Sequence, residues 1–286
     1  MKEAAIVALD LGGTKLASGK IQHHHVVRRE SRPIPPKGNE EEVLNELILA
    51  IRSVFDDDVA AIGVGVPSVV DVERGIVYTV QNIPSWQEVH LKDRLEEIFR
   101  VPVYVNNDAN CFALGECHFG KGKGYRNIVG LTLGTGLGGG VIIDRKLYSG
   151  TNCGAGEIGM IPYKEDILEY YCSGQFFTRR FGSGETAFQK AISGDPEAVE
   201  AFHEFGTEMG HAMITALYAY DPEIVIFGGS VSKAFSLFKK TMMEKLERSF
   251  AYQHALKRLV IEASDLADSA LLGAAALYFD ALEKKA

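Results

Sequence analysis

Apolar and polar positions divide the chain into short buried-strand runs, glycine-rich corners and amphipathic helices. Ile6-Val7-Ala8-Leu9 runs into Asp10-Leu11-Gly12-Gly13-Thr14-Lys15. An uninterrupted apolar run of this length predicts a buried strand, and paired glycines predict a tight turn. Leu16 to Ile21 then alternates, so the glycines form the corner of a β-hairpin rather than a strand-to-helix loop. A polar turn at Gln22–His25 leads into a third strand, Val26–Glu30, and Pro33-Ile34-Pro35-Pro36 ends the meander. Val43, Leu44, Leu47, Ile48, Ile51 and Phe55 recur at helical spacing, which predicts a helix over Glu41–Phe55. Strands over Ala60–Val66 and Val101–Val105 and a helix over Leu91–Phe99 follow. A further helix opens at Asn106-Asn107-Asp108-Ala109-Asn110.

A second block repeats the plan. Ile128–Leu133 reads as a buried strand and Gly134–Gly140 as a Gly/Thr-rich corner. Val141–Ile143 then returns, Asp144-Arg145 turns, and Lys146–Tyr148 follows. Late in the chain Glu223–Phe227 is a strand ending in Gly228-Gly229-Ser230, with a helix from Ser232 to about Phe250. Two copies of one supersecondary unit imply duplicated α/β domains facing each other across a cleft. The expected division is a small domain of residues 1–118 with a C-terminal helix at about 270–286, and a large domain of residues 119–269.

Composition narrows the function classes. The 286 residues are 46% hydrophobic and 24% charged, with a formal net charge of −8, so no general nucleic-acid or membrane surface is expected. No apolar stretch approaches the roughly 20 residues of a membrane span. The N-terminus enters a strand directly and leaves no room for a signal peptide, and the four cysteines form no C-x-x-C pair, so a reduced cytoplasmic protein is expected. His23-His24-His25 lies between two strand-like runs and reads as an exposed turn.

Several polar residues suit chemistry. The corner at Gly12 and Gly13 can bring backbone N–H groups against an anion, with Asp10 placed to hold a hydrated cation and Thr14 and Lys15 adding a hydroxyl and a charge. The same glycines also serve a plain hairpin turn. Gly228 and Gly229 admit a flat or charged ligand at a strand's carboxyl end, or simply turn the chain into a helix. Asn107 and Asp108 suit a helix N-cap, yet the Asn-Asn-Asp-x-Asn run exceeds what a cap needs. Asp108 could accept a proton from a substrate hydroxyl that Asn107 orients. Asn82, Glu157 and Glu169 add donors and acceptors of the kind a polyol requires.

Together these segments resemble the ROK family of sugar kinases, within the actin-like (ribonuclease H-like) ATPase fold, over nearly the whole chain. Asp10-x-Gly12-Gly13-Thr14-Lys15 and Leu133-Gly134-Thr135-Gly136-Leu137-Gly138-Gly139-Gly140 resemble its two phosphate motifs. Asn107-Asp108-Ala109-Asn110-x-x-Ala113-Leu114-Gly115-Glu116 resembles its catalytic motif. Gly156-Glu157-Ile158-Gly159 and Leu168-Glu169-x-Tyr171-x-Ser173-Gly174 resemble its two sugar-binding glutamate motifs. The resemblance implies an α/β protein of two duplicated actin-like domains flanking a nucleotide and sugar cleft. It implies ATP-dependent phosphorylation of a hexose or hexose derivative at its primary hydroxyl, with Asp108 as general base and Asn82, Asn107, Glu157 and Glu169 on the sugar. ATP phosphates would lie at Gly12, Gly13, Thr14, Lys15, Gly134, Thr135 and Gly136, the adenosine by Gly228 and Gly229, and Mg²⁺ at Asp10 through water. A homodimer is expected on the same ground.

The chain departs from the family pattern at one place. The usual Gly-Glu-Ile-Gly-His reads Met160 at its last position, and the cysteine-rich loop that would follow is replaced by Ile161–Ile167, which has no cysteine. A thiolate-rich tetrahedral site cannot be built from these residues, so no structural zinc is expected. Loss of the histidine removes a polar sugar contact and opens the choice of sugar. Two other functions compete: a sugar-sensing ROK-type regulator without its own DNA-binding domain, and an actin-like ATPase with no sugar. The second leaves Asn82, Glu157 and Glu169 without purpose.

Overall fold

The computed structural model describes residues 4–284 apart from Gly13, Pro36 and Gln81. The first elements are β1 (Ala5–Leu11), β2 (Lys15–Gln22), β3 (His25–Pro33), α1 (Glu40–Val54), β4 (Val59–Val66), β5 (Val69–Asp71), β6 (Ile76–Tyr78) and β7 (Glu88–His90). Next come α2 (Leu91–Phe99), β8 (Val103–Asn107), α3 (Asp108–His118), β9 (Ile128–Leu133), β10 (Leu137–Ile143) and β11 (Lys146–Leu147). Then follow β12 (Pro162–Tyr163), β13 (Asp166–Ile167), α4 (Leu168–Cys172), α5 (Gln175–Phe181), α6 (Gly184–Ile192) and α7 (Pro196–Tyr220). The chain closes with β14 (Ile224–Gly228), α8 (Phe235–Ser249), α9 (Gln253–Leu256), β15 (Val260–Ala263) and α10 (Ser269–Glu283). Two compact units result: Met1–Lys123 with Lys146–Ala155 and Leu266–Ala286, and Gly124–Arg145 with Gly156–Asp265.

In the first unit the strand order is β3-β2-β1-β4-β8. The first three strands form an antiparallel meander, while β1, β4 and β8 run parallel. Val7 and Leu9 of β1 join the core under α1, and the alternate residues Ile6 and Ala8 are equally buried on the other face. Both faces are therefore covered, which is why the strand reads as one apolar run. Helix α1 opens with a capping box: Asn39 Oδ1 accepts from the Glu42 N–H, and Glu42 Oε2 accepts from the Asn39 N–H. Of the positions whose spacing predicted it, Val43, Leu44, Leu47 and Ile51 are buried, Ile48 is half-buried and Phe55 is the C-cap, while Ala50 and Val54 complete the buried face. On the sheet, α10 packs against β4, β1 and α3. A Cβ on Gly63 of β4 would collide with the Ala274 carbonyl of α10, so glycine sets that close approach.

The second unit repeats the arrangement as β10-β9-β14-β15, an antiparallel hairpin followed by parallel strands. Its corner is shorter than expected. The β10 strand begins at Leu137, and Gly138, Gly139 and Gly140 pair with Thr132, Leu131 and Gly130. Gly139 is needed because the Gly156 carbonyl lies directly on it, not because the chain turns there. The expected helix from Ser232 is a short 3₁₀ turn, Val231–Ala234, and then α8. The long helix α7, which the sequence reading left unplaced, supplies Phe202, Phe205, Met209 and Met213 to the core beside Phe177 and Phe238.

Replacing Gly63 by alanine must push α10 off the sheet. Overpacking of this kind costs about 1–3 kcal/mol, so Gly63→Ala should lower the urea midpoint with little change in slope. An unchanged midpoint would contradict the close packing of α10 on β4.

Candidate active site

The carboxyl ends of the first unit's parallel strands carry its polar residues. Asp10 pairs in register with Gly65 of β4, and Gly65 with Asn106 of β8. The start of α3 packs against Gly65. A Cβ there would be 3.8 Å from the Asp108 Cα and 3.3 Å from Cys111 Sγ. Asn107 caps α3: its Oδ1 accepts from the N–H groups of Ala109 at 2.9 Å and Asn110 at 3.3 Å. Its Nδ2 donates to the Ser68 carbonyl at 3.4 Å, while the Ser68 hydroxyl donates to the carbonyls of Tyr78 and Thr79. Asp108 Oδ1 accepts from the Ala109 N–H at 2.8 Å. Beneath them Asn106 Oδ1 accepts from the Asn107 N–H, the Asn110 amide and the Cys153 thiol, so the start of α3 is fixed from below.

Two acids on this edge hold their protons more tightly than usual. Burial, and then the charge of Asp108, raise Asp10 to about 6, against a smaller opposing pull from Lys15. The Asp108 side chain reaches solvent, yet the protein mass around it raises its carboxyl above the ordinary value. Asp10 supplies a hard oxygen donor of the kind that would hold a divalent cation such as Mg²⁺ through water. Thr14 and Lys15 are exposed at the hairpin tip, and the Gly12 N–H donates to the Lys15 carbonyl at 3.0 Å. Since a Cβ on Gly12 would be 2.8 Å from that carbonyl, the turn itself needs this glycine. Gly13 lies outside the described residues. Asn82 is exposed in the loop between β6 and β7, which backbone bonds between Val80, Ile83 and Trp86 hold closed.

The second unit gathers its candidates around the other corner. Gly228 pairs with Thr132, and Gly229, at φ +82°, lies so close to the Leu133 backbone that no side chain fits. The Gly174 N–H donates to the Gly134 carbonyl at 2.8 Å, and the Ser173 hydroxyl donates to the Thr135 carbonyl at 3.0 Å. Gly134 and Thr135 open into a cavity of about 420 Å³ whose walls include Phe177, Phe188, Ser230 and Val231. Gly228 and Gly229 directly precede the last two. Glu169 Oε2 accepts from the Leu137 N–H at 3.0 Å, so this acid belongs to the same corner. Glu157 is exposed at the start of the 3₁₀ turn Ile158–Met160, and Met160 is 57% exposed. Gln175, Thr178 and Lys233 also line the cavity and were missed, because no motif marks them.

The segment that departs from the family pattern is the hairpin β12–β13, turning at Lys164 (φ +52°). Lys164 Nζ pairs with Glu208 of α7 at 2.5 Å and lies 5.2 and 4.9 Å from the ring centres of Tyr163 and Tyr171. Cys172 is fully buried, and burial and then Glu208 push its thiol well up, which disfavours the thiolate a metal requires. Among the described residues no group of three or more His, Cys, Asp or Glu could hold a metal ion. Nor is any described helix long and apolar enough to cross a membrane.

Two units built on one plan, each offering a glycine corner at its sheet edge, define the actin-like ATPase fold. The ROK family model matches residues 6–281, and the chain belongs to the ROK family. It is 28% identical to a glucokinase of Thermotoga maritima, covering 97% of this chain and 98% of that protein. It is 29% identical to an N-acetyl-D-glucosamine kinase of Vibrio parahaemolyticus, covering 84% and 88%. Among solved structures, a ROK family glucokinase from Streptomyces griseus in complex with glucose and AMPPNP matches with a TM-score of 0.81 at 29% identity, covering 96% and 98%.

Two outcomes follow. A carboxyl raised from 3.8 to about 6 on folding stabilises the protein below about pH 4, and that contribution is lost as pH rises through 6. In ligand-free protein Asp10→Asn should therefore be more stabilising, relative to wild type, at pH 7.5 than at pH 4.5. Equal differences in urea midpoint at both pH values would contradict a strained Asp10. Removing the Lys164 clasp by Lys164→Met should cost about 1 kcal/mol, whereas EDTA should leave the thermal midpoint of the wild type unchanged. A chelator-dependent drop would show that a metal, not Lys164, holds the hairpin.

Proposed function

We propose that the protein is an ATP-dependent sugar kinase that phosphorylates the primary hydroxyl of a hexose or hexose derivative. The observation that carries this reading is the placement of Asp108 at the first turn of α3, against Gly65 and on the same sheet edge as Asp10. Asp108 has one oxygen tied to the Ala109 N–H, so its orientation is set before substrate arrives. Its raised proton affinity suits a group that must take a proton from an alcohol, since a more basic carboxylate shares that proton more readily. Mg²⁺, when bound with the nucleotide, would neutralise phosphate charge, and Asp10 is the residue that would hold it through water.

On this reading Gly12, Gly13, Thr14 and Lys15 of one corner and Gly134, Thr135 and Gly136 of the other receive the phosphates. Gly228 and Gly229 border the adenosine, whose flat apolar ring suits the phenylalanine-lined cavity. Asn82, Asn107, Glu157 and Glu169 contact the sugar. Asn107 has its oxygen committed to the cap, so its share is through the amide N–H. Substitution of histidine by the exposed Met160 leaves an apolar side chain beside this region, which favours a hexose carrying an acyl or other apolar substituent. The protein is expected to work in the cytoplasm as a homodimer.

The test is ADP release with Mg-ATP across glucose, mannose, fructose, N-acetylglucosamine and N-acetylmannosamine. At least one sugar should stimulate turnover, and Asp108→Asn should lower kcat by about 10²–10⁴. Sugar-independent ATP hydrolysis that survives in Asp108→Asn would sink the kinase reading. Sugar binding with no turnover at all would favour a regulator instead.

A further inference from the structure

Glu169 does more than face outward from α4. Its Oε2 accepts from the Leu137 N–H, and its Oε1 accepts from the Gln175 side-chain amide at 3.1 Å. Gln175 opens α5, and its own N–H donates to the Ser173 hydroxyl at 3.2 Å. That hydroxyl donates in turn to the Thr135 carbonyl, while the Gly174 N–H donates to the Gly134 carbonyl. The bonds form a closed ring: corner residues 134–137, Glu169, Gln175 and Ser173. Ser173 is completely buried, so the ring has a dry side. Its other side is the wall of the 420 Å³ cavity, where Gly134, Thr135 and Gln175 all lie. Glu169 also lies close over Gly136, where a Cβ would meet its Oε2.

We infer that Gln175 is a positioning residue that couples occupancy of the nucleotide cavity to sugar affinity through the Glu169 carboxylate. The inference rests on the kinase reading, in which Glu169 contacts sugar and the cavity takes ATP. A nucleotide touching Thr135 or Gln175 bears on atoms that belong to the ring. Any restriction it places on the Gln175 amide restricts the Glu169 oxygen that accepts from it. A carboxylate already held in one orientation loses less freedom when it accepts sugar hydroxyls, so sugar binds more tightly once nucleotide is present. Reciprocity requires sugar to tighten nucleotide binding by the same factor.

Gln175→Met removes the donor at nearly constant volume. Dissociation constants for glucose and N-acetylglucosamine, measured by calorimetry with and without Mg-AMPPNP, give the coupling factor. In wild type, nucleotide should tighten sugar by about 5-fold or more, the lower end of ordinary coupling factors. In Gln175→Met the factor should fall towards one, whichever ligand is added first. A purely structural role would instead weaken sugar equally with and without nucleotide, leaving the factor unchanged, and that result would overturn the inference. So would a factor of one in wild type. Failure of the wild type to bind any sugar is a different outcome, which removes the kinase reading and the coupling with it. As a sugar-free check, AMPPNP should slow amide exchange of the peptide containing Leu137 in wild type but not in Gln175→Met. Equal slowing in both would likewise overturn the inference.

Discussion

Like charge confined to one sheet edge is the constraint around which the first unit is organised. Asp10 pairs in register with Gly65, the start of α3 packs against that glycine, and the Asp108 charge is close enough to act on Asp10. The arrangement is unfavourable by itself, since burial and repulsion both raise the proton affinity of Asp10. The surrounding structure has to hold it in place. Asn106 anchors three groups beneath the turn, Asn107 satisfies the helix N-terminus, and α10 seals the opposite face of the sheet. Strain held by an over-determined scaffold is typical of positions that act on a ligand.

The second unit solves a different problem with the same plan. Its corner is rich in glycine, and glycine alone gives no rigidity. Rigidity comes from outside the corner: Ser173 and Gly174 bond its carbonyls, Glu169 bonds its last N–H, and Gly229 closes on Leu133 from the neighbouring strand. Flexible residues are thus locked by groups that arrive much later in the chain.

Much of this was legible in the residues. Strands β1 and β9 and their hairpins announced themselves through apolar runs broken by glycine, and α1 through its spacing, while its Asn39–Glu42 cap emerged only in the structure. The glycines of 138–140 misled, because a glycine demanded by the close approach of Gly156 looks the same in sequence as one demanded by a turn. Helices α5 to α7 carry no glycine corner or polar cluster that sets them apart, so the residues alone did not place them. The same limit hid Gln175, whose partner Glu169 is near in sequence but whose reason for being there is the cavity wall. Asn107 was read both as cap and as ligand. Its oxygen is taken by the cap, which only the packed structure makes visible.

The place of α10 carries one more consequence. The helix spans Ser269–Glu283, yet it covers β1 and β4 from the first quarter of the chain, and Asp268 just before it pairs with Arg29 at 2.6 Å. During synthesis those strands leave the ribosome with one apolar face bare and wait for almost the whole remaining length before their cover is made. Pairings that distant are slow to form, and the exposed face is open to wrong partners meanwhile. The second unit, interrupted only by the short 146–155 excursion, has no such wait and is complete before the first can close.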